Sequence, residues 1–279
     1  MARLELRKYE AIGNDFLIVV DWRREGPFGA NLAVALCERH GGVGADGLIR
    51  LSAPGRGGAL RMDLRNADGS VAQTSGNGLR CGVLCARDEG LVRADELVVE
   101  TAAGDVTATV DGTGESSPIT VRVGMGVVRV EALPSSPVRN RRAFNVDVGN
   151  PHLVLLGANL SDVDLAVVGP ALGDGVPGGR NVELVASHRG RDELSLVVWE
   201  RGAGLTLACG SGSVAAAAAA HLAGLVGASV TVHNPGGDLV VELAPNDAGV
   251  EATLAGSAVR VAEVVVDSEW LSAKKDRFA

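Results

Sequence analysis

The period of apolar and polar positions changes repeatedly along the chain, and each change marks an element. Residues 4–9 alternate as a strand does, and 16–21 form a second apolar strand. Residues 30–40 carry helical spacing that Gly41-Gly42 is expected to stop. Strands at 48–51 and 59–65 precede a helix at 76–88, and strands at 97–101, 105–110 and 119–123 follow it. Residues 129–142, with Pro134 and Pro137, read as a linker. The same grammar then returns: strands at 143–148 and 153–156, a helix at 162–172, a glycine-rich loop at 173–179, a strand at 194–199 and a helix at 211–223. The run from 230 to 266 is β-rich, with turn signals at Pro235-Gly236-Gly237 and around 245–249.

The repetition extends to chemistry. Cys209 stands before Gly210-Ser211-Gly212 and an alanine-rich helix former, and Ser75 stands before Gly76-Asn77-Gly78 and a second apolar helix. Upstream, Gly13-Asn14-Asp15 is matched by Gly149-Asn150-Pro151, and the distance from glycine to helix mouth is 62 residues in one half and 60 in the other. Matching landmarks imply a duplicated domain with a site between the copies. The pattern lacks strictly alternating strands and helices. The expected fold is therefore α+β, two pseudo-symmetric domains, each a mostly antiparallel sheet wrapped around a central helix, with 76–88 and 211–223 at the centres. The boundary is expected near residue 124, giving halves 1–124 and 125–259. A helix N-terminus stabilises anions, so Cys209 is expected to have a lowered thiol pKa, and the glycines let a carboxylate approach bare backbone.

Composition removes several alternatives. With 46% hydrophobic residues, 279 residues can bury an ample core, and with only 3% aromatics that core must be Val, Leu and Ala. A net charge of −8 argues against nucleic-acid binding. Four cysteines (Cys37, Cys81, Cys85, Cys209) show no disulfide framework, and neither a signal-peptide region nor a membrane-length apolar run is present, so a cytoplasmic protein is expected. Gly42-Val43-Gly44-Ala45-Asp46-Gly47 matches a dinucleotide fingerprint, but it follows a helix and precedes a strand, the wrong order for that use. Cys81 and Cys85 have i,i+4 spacing without a nearby His or acid, which favours core thiols over a metal pair. No metal site is expected.

With these motifs in place, the chain resembles the diaminopimelate epimerases over nearly its whole length. The resemblance rests on the Gly13-Asn14-Asp15-Phe16 turn, Gly44-Ala45-Asp46-Gly47, the Asn66 segment, Gly149-Asn150-Pro151-His152, Asn181-Val182-Glu183, Glu200-Arg201-Gly202, Ala208-Cys209-Gly210 and Asn234-Pro235-Gly236-Gly237. It implies the same fold, with segment 260–279 packing onto the first domain. It also implies cofactor-independent inversion of LL-diaminopimelate to meso-diaminopimelate, in lysine and peptidoglycan precursor biosynthesis, by a homodimer with a small amino-acid substrate. Two cysteines exchange the α-proton in that family. Cys209 keeps its place here, and Ser75 occupies the other. By resemblance Glu200 accepts the α-ammonium and Arg201 the distal carboxylate. Asn14, Asn66, Asn150 and Asn181 line the distal end, and Gly76, Asn77, Gly210 and Ser211 offer backbone N–H groups. His152 would orient a neighbour. Glu10 and Leu205 stand where the family commonly has histidine and glutamate.

A serine hydroxyl is a poor base unless activated, and no sequence feature identifies an activator. Three readings of Ser75 stay open: a slower or asymmetric epimerase, a changed reaction (a dehydratase, or a racemase of another amino acid), or an epimerase silenced at this position. A catalytically impaired amino-acid-binding homologue and an isomerase of the phenazine-biosynthesis type are the rivals, and Cys209, Glu200 and Arg201 argue against both.

Overall fold

The computed structural model describes residues 3–72, 75–112, 119–247 and 249–275. They form two compact units, Met1–Val121 with Ser257–Ala279, and Arg122–Gly256.

The first unit begins with β1 (Leu4–Ala11) and β2 (Asn14–Val20), an antiparallel hairpin turned by Ile12 and Gly13, both at positive φ. Helix α1 (Ala30–Cys37) leads to β3 (Gly47–Ser52) and β4 (Leu60–Asn66). Helix α2 (Gly76–Asp88) then precedes β5 (Glu96–Thr101) and β6 (Gly104–Asp111). The second unit holds most of β7 (Thr120–Ala132), then β8 (Arg142–Asp147), β9 (Pro151–Gly157), α3 (Leu165–Gly173), β10 (Asn181–Ser187), β11 (Glu193–Glu200) and the short β12 (Gly204–Thr206). Helix α4 (Gly210–Leu222), β13 (Ser229–Asn234), β14 (Gly237–Asn246) and β15 (Gly249–Ser257) complete it. The chain then returns to the first unit with β16 (Val259–Val266), antiparallel to β1, and α5 (Ser268–Lys275).

Each unit wraps its strands around one helix, as expected. Residues 76–86 of α2 are all buried, and α2 packs against β1, β2, β3, β4, β6 and β16. Around α4 the strands close a ring, in the order β7-β8-β9-β10-β11-β13-β14-β15 and back to β7. Residues 214–220 of α4 are buried on every side, which explains the alanine run: a helix encircled by strands has no polar face, and small side chains let the strands approach.

Four corrections to the expected elements have local causes. Helix α1 stops at Cys37, not His40, because Glu38 is extended and the chain folds back, with Val43 and Gly44 both donating to the Leu36 carbonyl. A Cβ at Gly42 would strike the Ala35 carbonyl, so the glycine permits that return. Strand β7 continues through Ala132, so the linker shrinks to 133–141; the valines at 127, 128 and 130 favour strand until the prolines. Strand β10 was hidden in a run whose six residues from 181 to 186 are all buried, so it shows no alternation. Finally, four strand pairs are parallel: β2–β3, β4–β5, β9–β10 and β11–β13, each spanning one of the first four helices. The sheets stay mostly antiparallel, but each half contains two helical crossovers in the same relative places. Among the described residues, no helix is long and apolar enough to cross a membrane.

Candidate active site

The α2 mouth is built by a capping serine. Ser75 is extended (φ −147°), and its Oγ accepts the Gly78 N–H at 3.0 Å. The amides of Gly76 and Asn77 are in the first turn and have no intrahelical acceptor. Asn77 is buried. Its Nδ2 donates to Asn14 Oδ1 at 3.2 Å, and its Oδ1 has no partner among the described residues. Asn14 in turn donates to Asp46 Oδ2 at 2.7 Å, and Arg39 bridges Asp46 and Asp15 at 2.8 and 2.7 Å. Burial pushes the Asp15 carboxyl up, but hydrogen bonds from Arg39 and Lys8 outweigh it and hold it below the ordinary range. Asn66 is exposed and bonds within its own turn, Nδ2 to Ser70 Oγ at 2.9 Å. Glu10 accepts the Gly13 N–H at 2.9 Å. Among the described residues no carboxylate or imidazole is hydrogen-bonded to Ser75, so the oxygen serves as a cap.

The α4 mouth repeats this geometry with sulfur. Cys209 is extended (φ −129°), and its Sγ accepts the Gly212 N–H at 3.3 Å, with Ser211 Oγ at 3.5 Å. Ser213 is tied to the Cys209 carbonyl at 2.9 Å and to Asn234 at 3.2 Å. The expectation of a lowered thiol pKa is overturned. Burial pushes the Cys209 thiol well up, and the nearby Glu200 carboxylate pushes in the same direction. The Gly212 N–H and Ser211 favour the thiolate but lose. The resting group is the thiol.

Five more residues singled out by the sequence belong to the same unit. Glu200, at the end of β11, accepts the Thr206 hydroxyl at 2.5 Å across the β11–β12 hairpin. Arg201 gives its backbone N–H to Asn181 Oδ1 at 2.9 Å, and its guanidinium donates to the Gly178 carbonyl at 2.5 Å over Gly179. Asn181 is thus a brace for the Arg201 backbone. Asn150 and His152 meet at 3.1 Å, Oδ1 to Nε2.

Two residues without a role in the sequence reading stand out. Glu183 is fully buried and contacts His152 Nδ1 at 2.6 Å. The signal was a lone acid in an apolar run, which period-based reading treats as noise. Arg80, on α2, is also fully buried; its Nε donates to the Ser257 carbonyl at 3.3 Å, and its two terminal nitrogens have no partner among the described residues. Burial lowers its pKa to about 10. The other thiols are core groups. Cys81 and Cys85 are buried on α2, and burial pushes Cys85 to about 12. No group of three His, Cys, Asp or Glu positioned for a metal occurs among the described residues.

Comparison with known proteins gives the family and the fold. A family model described as diaminopimelate epimerase matches residues 6–131 and 144–261. A diaminopimelate epimerase of Desulforudis audaxviator is 39% identical, covering 97% of this chain and 100% of that one. One of Rhodococcus opacus is 36% identical, covering 96% and 98%. Among solved structures, a PhzF-family phenazine biosynthesis protein of Bacillus anthracis has a TM-score of 0.78 at 16% identity, covering 96% of this chain and 100% of that one. A probable proline racemase of Agrobacterium radiobacter has a TM-score of 0.72 at 16% identity, covering 95% and 93%. At such identities the two structures speak to the fold alone.

Proposed function

The chain belongs to the diaminopimelate epimerase family and is an isomerase, and from that premise we propose that it converts LL-diaminopimelate to meso-diaminopimelate by two-base α-proton transfer without a cofactor. The observation that carries this reading is the pair of helix mouths with the same cap geometry, one ending in a hydroxyl and one in a thiol. The α-hydrogen of an amino acid is a very weak acid, so its removal needs a base held close and a place for the developing charge. Unbonded amides at Gly76, Asn77, Gly210 and Ser211 supply that place for the substrate carboxylate.

In this reading the resting Cys209 thiol first gives its proton to solvent, and the thiolate then takes the α-proton while the electron pair spreads onto the carboxylate. Ser75 returns a proton from its hydroxyl to the opposite face and regains one from solvent, which balances the proton Cys209 released. Inversion requires two such groups, since one group reaches only one face. Glu200 receives the α-ammonium, and Arg201 turns from the Gly178 carbonyl to the distal carboxylate, which its planar fork fits. Asn14, Asn66, Asn150 and Asn181 complete the polar lining by resemblance. Ser75 makes the two directions unequal, because a hydroxyl serving as a cap returns a proton better than it removes one.

We place the protein in the cytoplasm, in lysine and peptidoglycan precursor synthesis, as a homodimer. Strand β16 supports the last point by exposing Val259, Val261 and Val265, with the charged Glu263 between the last two. The deciding experiment is incubation with LL- or meso-diaminopimelate in deuterated water without added cofactor. Deuterium at one α-carbon, unchanged after chelator and carbonyl reagents, is the expected result; dependence on pyridoxal phosphate or a metal would end the reading.

A further inference from the structure

Glu183 does not belong to any step above, yet its carboxylate is fully buried in the second unit. It sits on β10 with its carboxylate fully buried, Oε1 2.6 Å from His152 Nδ1 on the parallel strand β9. His152 is equally buried, and its other nitrogen, Nε2, lies 3.1 Å from Asn150 Oδ1. A Cβ on Gly212 would sit 3.0 Å from Glu183 Oε1 and 3.3 Å from Cys209 Sγ, so the acid and the thiol share one spot under the α4 mouth.

The donors and acceptors of this chain can be counted. An amide oxygen only accepts, so the Asn150 contact needs a hydrogen on His152 Nε2. A neutral imidazole has one N–H, and it is spent there. The 2.6 Å contact at Nδ1 still needs a proton between nitrogen and oxygen. It comes either from Glu183 as an acid or from an imidazolium facing a carboxylate. The second choice separates two charges where both side chains are dry, at a cost that only good hydrogen bonding to both ions offsets. Such bonding is missing: Glu183 Oε2 is buried without a partner among the described residues.

We infer that Glu183 is a positioning residue that stands in the site as a carboxylic acid, donating its proton to His152 Nδ1 and so fixing the direction of the Glu183–His152–Asn150 chain. The inference deepens the proposed epimerase site and rests on that reading for its kinetic consequences. With Asn150 Oδ1 occupied by His152, the Asn150 amide nitrogen is the end left to face a ligand. The acid also adds no second anion beside Cys209, which must become a thiolate. The charged and titratable groups around Glu183 are His152 from β9, Glu200 from β11, Cys209 from the α4 cap, and Arg180 just before β10. Burial holds the Glu183 carboxyl above the usual range, and Glu200 adds to this against the opposing pull of His152.

The test uses the full-length protein with Glu183→Gln, which keeps a donor for Nδ1, and Glu183→Ala, which removes it. Infrared difference spectra in H2O and D2O at neutral pH are expected to show a buried protonated carboxylic acid that Glu183→Gln abolishes. In the epimerase assay, Glu183→Ala should raise KM roughly tenfold with a smaller change in kcat, and Glu183→Gln should restore most of the loss, as expected for a buried hydrogen bond. The Cys209 alkylation midpoint should stay nearly unchanged in Glu183→Gln. Absence of the acid band in the wild type, or a Cys209 midpoint about one pH unit lower in Glu183→Gln, identifies an anion beside the thiol and overturns the inference. Equal loss in both variants overturns it as well. If the wild type fails to turn over diaminopimelate, the function proposal falls while the infrared and alkylation results still decide the state of Glu183. They also decide it if Glu183→Ala does not fold.

Discussion

Replacing Ser75 by cysteine tests the asymmetry of the two mouths. The structure supplies its own control for the fit. Ser75 Oγ holds the Gly78 N–H at 3.0 Å, and Cys209 Sγ holds the equivalent Gly212 N–H at 3.3 Å in the same extended conformation. A thiol at position 75 therefore needs to move by only a few tenths of an ångström to keep its cap. Weakening an N-cap costs at most about 1 kcal/mol here, so the fold should hold. On the chemical side, a positioned acid–base group contributes ~10²–10⁴-fold, and a thiol can both take and return a proton where a capping hydroxyl does only the second well. The expected gain in epimerisation is at least about tenfold, below that range because the hydroxyl already supplies part of the work. Deuterium incorporation and interconversion of LL- and meso-diaminopimelate, followed in parallel, measure it. Cys209→Ala should abolish turnover in both the Ser75 and the Ser75→Cys backgrounds. An unchanged rate in Ser75→Cys would show that serine is already matched by its neighbours, and full activity in Cys209→Ala would remove the two-base mechanism.

Other expectations follow from individual environments. Since the Cys209 thiol is pushed well above its ordinary 9.0, alkylation by iodoacetamide should stay slow at neutral pH and rise above pH 9, with substrate protecting it; labelling that goes first to Cys81 or Cys85 would assign the wrong thiol. Asp15 has a lowered folded pKa, so its stabilisation is complete above its unfolded pKa and is lost as pH falls through the folded value. Urea melts should accordingly show Asp15→Asn destabilised at pH 7 and converging with the wild type in acid; a constant difference would contradict the linkage. A Cβ at Gly169 would lie 2.6 Å from Trp199 Cγ, so Gly169→Ala should lower stability by about 1–3 kcal/mol and reduce Tm. A Tm equal to the wild type would mean Trp199 moves freely.

The two helix mouths were legible in the sequence, for a physical reason. Capping is local: Ser75 and Cys209 each bond an amide three residues on, so a small polar residue followed by glycines and a helix former announces the mouth from sequence alone. The bounds of α2 and the burial of α4 followed from composition in the same way. The end of α1 did not, because the return through Gly42 depends on the carbonyl of Ala35, and helical spacing continues past the point where the chain leaves the helix. Strand β10 was lost because burial on both faces erases alternation.

The chain by itself therefore determined the duplicated plan and the two caps, since each depends on contacts within a few residues or on motifs that repeat. Only the tertiary structure decided what state the capping groups rest in. Cys209 looked like an activated thiol at a helix N-terminus, but the strands around α4 remove its water and bring the Glu200 carboxylate close, and desolvation outweighs two weak donors. The link from Glu183 to His152 spans 31 residues and exists because β9 and β10 run parallel side by side. A local pattern cannot report how many neighbours a side chain gains on folding, and the pKa of a buried group is set mainly by that number.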